Sequence, residues 1–255
     1  MSGPASPRIV VFGDSHIHAI QQAHRRRASE GRDLPLQAMR LTRIKNSKPI
    51  GDKSFDEILE IANELGPEDV VVSAAGGNQH AIFSTIQHPE PFDFVMPGEA
   101  AVDLTGAATI VPYRTIYEAF AEPIRKGFEK SFRMLRKRTG ARIACLMAPP
   151  PKRDNAFIEQ YHDTRFANEG ISSFGVSPPE LRMKFWRLQI RVLEELCAQL
   201  GVDALMPPEG TRDEHGFLAP PFYANDATHA NARYGELVVQ QLVERYKKAA
   251  VSEVN

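Results

Sequence analysis

Short apolar runs alternate along this chain with segments in which apolar residues recur at helical spacing. Residues 9–12 form a continuous apolar run typical of a fully buried strand, and Gly13-Asp14-Ser15 ends it abruptly. An extended pattern of apolar and polar residues predicts a second strand at 34–44, and short apolar runs predict further strands at 69–75, 142–147 and 201–205. Helical spacing predicts helices at 17–23, 54–65, 113–138, 180–200 and 235–246. This alternation predicts an α/β fold, a doubly wound and mostly parallel sheet of five strands.

Two long stretches, 80–112 and 152–179, interrupt the alternation. Both contain Pro, Gly and Phe without sustained periodicity, so we expect loop excursions that form the walls of a pocket. No repeat, low-complexity tract or linker divides the chain. The sequence therefore predicts a single domain over residues 1–255.

Composition narrows the classes of partner. The chain has 255 residues, of which 42% are hydrophobic and 25% charged, with a formal net charge of −1. This balance gives no reason to expect nucleic acid or a membrane as a partner. Neither a signal peptide nor an apolar run long enough to cross a bilayer is recognisable, so we expect a cytoplasmic protein. Cys145 and Cys197 show no metal-ligand spacing, and the sequence leaves a homo-oligomer open.

Ser15 is the first residue with candidate chemistry, because it lies between a buried strand and a helix. A strand, a sharp turn and a helix can present a nucleophile beside the free N–H groups of the helix N-terminus. A serine in this position also commonly caps the helix. The local sequence alone favours the cap.

Other polar residues follow predicted strands in the manner of Ser15. Asn78 comes after the third strand, and Asp226 precedes His229 by three residues in the loop that enters the last helix. A carboxylate at that spacing can orient the imidazole, which can then take a proton from a serine. In doubly wound sheets, ligands bind outside the carboxyl ends of the strands. Ser15, His229 and Asp226 are thus a candidate triad, with the Ser15 N–H and the Asn78 amide as candidate oxyanion donors.

The three segments together resemble a known family. Gly13-Asp14-Ser15, Gly77-Asn78 and Asp226-x-x-His229 resemble blocks one, three and five of the SGNH (GDSL-like) hydrolase superfamily. The resemblance implies a flavodoxin-like three-layer αβα sandwich and hydrolysis of a small O-acyl or carbohydrate ester, as in a serine carboxylesterase or acetylesterase. It implies Ser15 as nucleophile, Asp226 and His229 as its partners, and Asn78 as oxyanion donor. No cofactor or metal is expected.

Two departures from the family pattern affect the predicted site. Gln79 stands where the third block usually has Asp, and Gly51 is the sole nearby candidate for the glycine of the second block. We include Gly51 as a third oxyanion donor. Because they flank the predicted centre, His16, Gly77 and His80 are predicted to line the substrate pocket.

Alternative functions remain open at this level. An acyltransferase would use the same triad with an alcohol or sugar as acceptor. A metal-dependent phosphoesterase could use Asp14, His16, Asn78 and His80, a set that resembles part of the calcineurin-like ligand pattern. The same fold could also serve as a ligand-binding module without catalysis.

Overall fold

The computed structural model describes residues 6–45, 47–98 and 109–252, and the predicted excursion 80–112 therefore lies partly outside the described residues. Its centre is a five-stranded parallel sheet. The strands of the described chain are β1 (Ile9–Gly13), β2 (Leu36–Arg40), β3 (Arg43–Lys45), β4 (Lys48–Ile50), β5 (Val70–Ala74), β6 (Phe92–Asp93), β7 (Thr109–Ile110), β8 (Arg142–Leu146) and β9 (Asp203–Leu205). The order across the central sheet is β2-β1-β5-β8-β9, which is the flavodoxin-like order.

Helices cover both faces of the sheet. They are α1 (Ile17–Ser29), α2 (Phe55–Asn63), α3 (Gln79–Ser84), α4 (Tyr113–Arg138), α5 (Asn155–Tyr161), α6 (Thr164–Asn168), α7 (Ile171–Phe174), α8 (Pro179–Leu200) and α9 (Ala232–Ser252). Helices α1 and α9 pack on one face, and α2, α4 and α8 pack on the other. Among the helices of the described chain, none has a stretch both long and apolar enough to cross a bilayer.

The apolar run of β1 supplies both cores. Its alternate residues point to opposite faces, so Val11 packs with α1 and α9 while Phe12 packs with α2 and α4. Both side chains are at most 1% exposed. A strand buried on both faces reads as a continuous apolar run, and the prediction of a three-layer α/β sandwich is confirmed.

The second predicted strand is shorter in the structure than in the sequence pattern. We predicted residues 34–44, but β2 ends at Arg40, which pairs with Gly13 at the end of β1. Beyond Gly13 the neighbouring chain turns away into α1 and offers no further backbone to pair with. The segment that follows therefore pairs with itself, as the antiparallel hairpin of β3 and β4.

The excursion at 152–179 contains three short helices that we did not predict. Asp154 and Asp163 cap two of them by accepting backbone N–H groups of the first turn. Each of the three has seven residues or fewer, which is too short to produce a periodic apolar pattern. The excursion at 80–112 likewise begins within a short helix, α3.

Candidate active site

The turn after β1 holds Ser15 at the carboxyl edge of the sheet. A Cβ atom on Gly13 would lie 2.8 Å from the carbonyl oxygen of Ala74, so the close approach of β1 and β5 requires glycine there. Asp14 braces the turn, because its Oδ2 accepts the N–H of Gly76 at 2.7 Å. Helix α1 has no side-chain cap. The Oγ of Ser15 instead lies 2.7 Å from Nε2 of His229.

Asp226 and His229 share one turn at the entrance of α9. Oδ1 of Asp226 accepts the N–H groups of Thr228 at 2.8 Å and of His229 at 2.6 Å. Its Oδ2 lies 2.9 Å from Nδ1 of His229. Because an ionised carboxylate only accepts hydrogen bonds, Nδ1 carries the proton and Nε2 of the neutral ring is free to accept from Ser15. The three side chains thus form one hydrogen-bonded chain that ends at the serine hydroxyl.

The carboxyl of Asp226 stays ionised in this setting. Burial raises its pKa, but the hydrogen bonds from His229 and the nearby charge of Lys152 outweigh that effect, so the pKa lies well below its usual range. Nζ of Lys152 is 3.7 Å from Oδ1 of Asp226. The Nδ1 proton of His229 therefore faces a fixed negative charge.

Lys152 lies beneath the Asp226 loop and is 1% exposed. Its Nζ donates to the carbonyl oxygen of Ala224 at 2.6 Å and to that of Asp226. The ammonium also lies 4.8 Å from the centroid of the Phe157 ring and 5.1 Å from that of Tyr223. Burial lowers the pKa of Lys152 to about 8, while Asp226 acts in the opposite direction. This lysine holds the loop that carries the acid.

Replacing Lys152 with methionine should lower the free energy of unfolding by about 3 kcal/mol, because two partly buried carbonyl oxygens and one carboxylate lose their cation. Urea unfolding measures the change. The matched control is Lys53→Met, which removes an exposed ion pair to Glu57 at 2.8 Å and should leave the free energy of unfolding close to that of the parent. Equal losses in the two variants would refute a bracing role for Lys152.

Besides Ser15, two residues were predicted to donate to the oxyanion, Asn78 and Gly51, and they lie in different surroundings. Asn78 lines a cavity of about 330 Å³ together with Ser15 and His229. Gly51 lines neither this cavity nor the larger one beside it. A Cβ atom at Gly51, where φ is +138°, would lie 2.5 Å from the carbonyl oxygen of Leu41, so glycine is required there by the packing of two backbones.

The residues predicted to line the substrate pocket lie outside the two cavities that Ser15 lines. His80 is 4% exposed, and its Nδ1 lies 3.3 Å from Oε1 of Gln189. Nε2 of the same glutamine donates to the carbonyl oxygen of Gly77 at 2.9 Å, so Gln189 braces the turn that carries Asn78. The ring of His16 lies 4.8 Å from that of His229, centroid to centroid. Burial holds the pKa of His16 well below its ordinary value, which keeps the ring neutral beside His229.

His80 should make the protein less stable in acid. Burial lowers its pKa to about 4 in the folded state, whereas the ordinary pKa of a histidine side chain is 6.5. Below pH 6.5, His80 binds a proton in the unfolded chain but not in the folded chain. Stability therefore falls as the pH drops from 6.5 towards 4. Over this pH range, His80 should lower the free energy of unfolding by about 3 kcal/mol. Urea midpoints across this range should fall less steeply in His80→Asn than in the parent, and parallel curves would contradict the assignment.

Both predicted excursions contribute walls to the cavity of about 330 Å³. Ala81 and Ile82 come from α3, while Arg165 and Phe166 come from α6. A second cavity, of about 680 Å³, is also lined by Ser15 and His229. The nucleophile candidate thus borders two cavities.

The four residues considered as metal ligands are not assembled into one set. Asp14 accepts a backbone N–H from the turn after β5, and Nδ1 of His80 lies against Gln189. Within the described ranges, no group of three or more His, Cys, Asp or Glu side chains has an arrangement that could hold a metal ion. Asn78 lines the cavity beside Ser15 instead.

Sequence reasoning missed Lys152 and Gln189. Lys152 follows three prolines and belongs to no motif, and the carbonyls that it binds are more than 70 residues away in the chain. Gln189 lies in the middle of α8, where its position resembles that of any other helix residue. The one sequence signal was weak, a polar residue within an otherwise apolar helix face.

The sheet order and the two layers of helices define a three-layer α/β sandwich, with Ser15 at the carboxyl edge of its parallel sheet. No family model matches the chain, and a search of curated proteins also finds no match. An extracellular lipase from Streptomyces rimosus is similar in structure, with a TM-score of 0.50 and 12% identity over 93% of this chain and 99% of its own. The periplasmic domain of a lipopolysaccharide acetyltransferase from Salmonella ser. Paratyphi A gives a TM-score of 0.50 and 12% identity over 94% and 84%. The chain has the fold of the SGNH hydrolases, and the predicted resemblance is confirmed at that level.

Proposed function

We propose that this protein is a serine esterase that hydrolyses a small O-acyl or carbohydrate ester through an acyl-enzyme. The observation that carries the proposal is the hydrogen-bonded chain from Asp226 through His229 to Ser15. Nucleophilic catalysis by serine needs a hydroxyl, a base within hydrogen-bond reach and a group that fixes the tautomer of the base. Each requirement is met by one of these side chains.

In the first half of the reaction, Ser15 Oγ attacks the ester carbonyl carbon while its proton passes to Nε2 of His229. The resulting imidazolium is stabilised by Asp226. The negative charge on the former carbonyl oxygen is met by the Ser15 N–H and the Asn78 amide, both of which donate hydrogen bonds. The intermediate then collapses, and the alcohol leaves with the proton from His229.

In the second half, His229 removes a proton from water, and the hydroxide formed attacks the acyl carbon of the Ser15 ester. Collapse of the second intermediate returns the proton to Ser15 and releases the carboxylic acid. If an alcohol or a sugar takes the place of water, the same acyl-enzyme gives acyl transfer. The neutral ring of His16 beside His229 favours both reactions, since a second positive charge there would oppose formation of the imidazolium.

Hydrolysis of p-nitrophenyl acetate tests the proposal. We expect turnover that excess EDTA leaves unchanged, because no step needs a metal. The matched control substrate is bis(p-nitrophenyl) phosphate, which we expect the protein not to hydrolyse. Phosphodiester hydrolysis that EDTA abolishes would favour the metal-dependent alternative, and ligand binding without turnover of any acyl ester would favour a non-catalytic module.

A further inference from the structure

Ser15 and His229 line both cavities, but Asn78 lines the smaller one alone and Asp226 lines the larger one of about 680 Å³ alone. The carbonyl oxygen of a bound ester must face Asn78, on the side of the smaller cavity. The larger cavity is therefore the one available to the alcohol portion, whose oxygen receives the proton from His229.

Two arginines line this larger cavity, Arg40 from the end of β2 and Arg43 from the hairpin. Arg43 also lines the smaller cavity, so it stands where the two meet. The carboxylate among the lining residues belongs to Asp226, which is engaged by His229 and lies near Lys152. The cavity that receives the alcohol is therefore positive in charge.

Neither guanidinium has a carboxylate partner among the described residues, in contrast to many other arginines of the chain. Paired arginines in the structure include Arg8 with Asp69, Arg26 with Glu30, Arg27 with Glu236, Arg114 with Glu118, Arg133 with Glu129, and Arg165 with Glu169. The Nε of Arg40 is buried and has no hydrogen-bond partner in the described chain. A buried donor without a partner costs free energy that an acceptor on a ligand would recover.

The nearest acid on the hairpin side does not neutralise Arg40. Oδ2 of Asp52 accepts the backbone N–H of Arg40 at 2.8 Å and the side-chain amide of Gln21 at 2.7 Å. These bonds to Oδ2 fix the backbone of Arg40, and among the described residues Asp52 forms no ion pair with the Arg40 guanidinium. The positive charge of Arg40 also contributes, after burial, to a lowered pKa of His18, which lines the same cavity.

We infer that the alcohol portion of the substrate carries an anionic group, a carboxylate or a phosphate, which Arg40 and Arg43 bind in the larger cavity. Guanidinium groups form strong, directed hydrogen bonds to both of these anions. The inference rests on the proposed function and specifies its substrate class as acyl esters of anionic alcohols. The reaction itself is unchanged, since the arginines touch the leaving group and take no proton.

A matched pair of substrates tests the inference. The acetate esters para-acetoxybenzoate and para-acetoxybenzamide are nearly equal in size and differ in charge, and each rate is normalised to its rate of alkaline hydrolysis. The parent protein should prefer the anionic ester by about tenfold in kcat/KM. Raising the salt concentration from about 0.01 M to about 0.5 M should reduce this preference and leave the neutral ester little affected.

Variants assign the preference to the two arginines. In Arg40→Gln/Arg43→Gln the preference should fall to about one, because kcat/KM for the anionic ester should fall about tenfold further than kcat/KM for the neutral ester. Arg43→Gln alone alters an exposed side chain and should lose part of the preference even if the double variant folds poorly. The control is Arg233→Gln, an exposed arginine outside both cavities, which should keep the full preference.

The outcomes separate this inference from the function on which it rests. Equal turnover of both esters by the parent protein, or a preference that survives the double variant, would overturn the inference and leave the esterase intact. Absence of turnover on either ester would overturn the proposed function and the inference with it.

Discussion

Replacing Ser15 with alanine should lower kcat for p-nitrophenyl acetate by on the order of 10⁶-fold, to the background rate. The expected loss is this large because the hydroxyl forms the covalent bond, and no neighbouring group takes its place in the hydrogen-bonded chain to His229. The variant should fold normally, since Ser15 is only half-buried. Its replacement leaves intact the turn and the hydrogen bond that Asp14 accepts from the N–H of Gly76. Its thermal midpoint should lie within about 2 °C of the parent.

The control for Ser15→Ala is Ser131→Ala, which removes a half-buried hydroxyl from α4 and should leave kcat unchanged. Ser131 donates to the carbonyl oxygen of Gly127 at 3.1 Å and lines neither cavity at Ser15. If Ser15→Ala retained a substantial fraction of the parent activity, the nucleophile would have to be another group. Activity that then disappeared with EDTA would point to a metal.

Replacing Asp226 with asparagine should lower kcat by about 10⁴-fold while the turn persists. The amide oxygen can still accept the N–H groups of Thr228 and His229, but the amide nitrogen would face Nδ1 of His229 as a donor. The ring would then carry its proton on Nε2 and could not accept one from Ser15. Steady-state kinetics should show the loss mainly in kcat, because the carboxylate does not bind the substrate.

Asp213→Asn is a matched control for this change. Oδ1 of Asp213 also accepts two backbone N–H groups of its own loop, those of His215 at 2.9 Å and Phe217 at 2.9 Å, but in the described part of the chain no histidine ring is bonded to its other oxygen. This variant should keep activity near that of the parent. Equal activity losses in Asp213→Asn and Asp226→Asn would mean that loop geometry, and not the histidine tautomer, limits the rate.

Much of the fold could be predicted from the sequence because its signals are local. Buried parallel strands read as apolar runs, and amphipathic helices such as α4 show their full length in the spacing of their apolar residues. In doubly wound sheets, ligands bind outside the carboxyl ends of the parallel strands. This rule predicted that Ser15, Asn78 and His229 lie at the same edge of the sheet. These features depend on neighbouring residues or on sheet topology alone.

The rest of the site depends on contacts between distant segments, which a single sequence does not reveal. Lys152 reaches Asp226 across 74 residues, and Gln189 reaches His80 across 109. Likewise, the hairpin that presents Arg43 at the cavity forms because β1 ends, and not because of its own apolar pattern. Side chains that brace or charge the site were therefore visible only in the structure.

The central claim is that Ser15 is an activated nucleophile, and covalent labelling tests it most directly. A fluorophosphonate transfers its phosphonyl group to an activated serine and releases fluoride, so it needs no turnover of a known substrate. Intact mass and peptide mapping should show one phosphonyl group on Ser15, gained in parallel with the loss of esterase activity and absent from His229→Ala treated alike. Full esterase activity after complete labelling, or a label on another residue that tracks the loss of activity, would contradict the account.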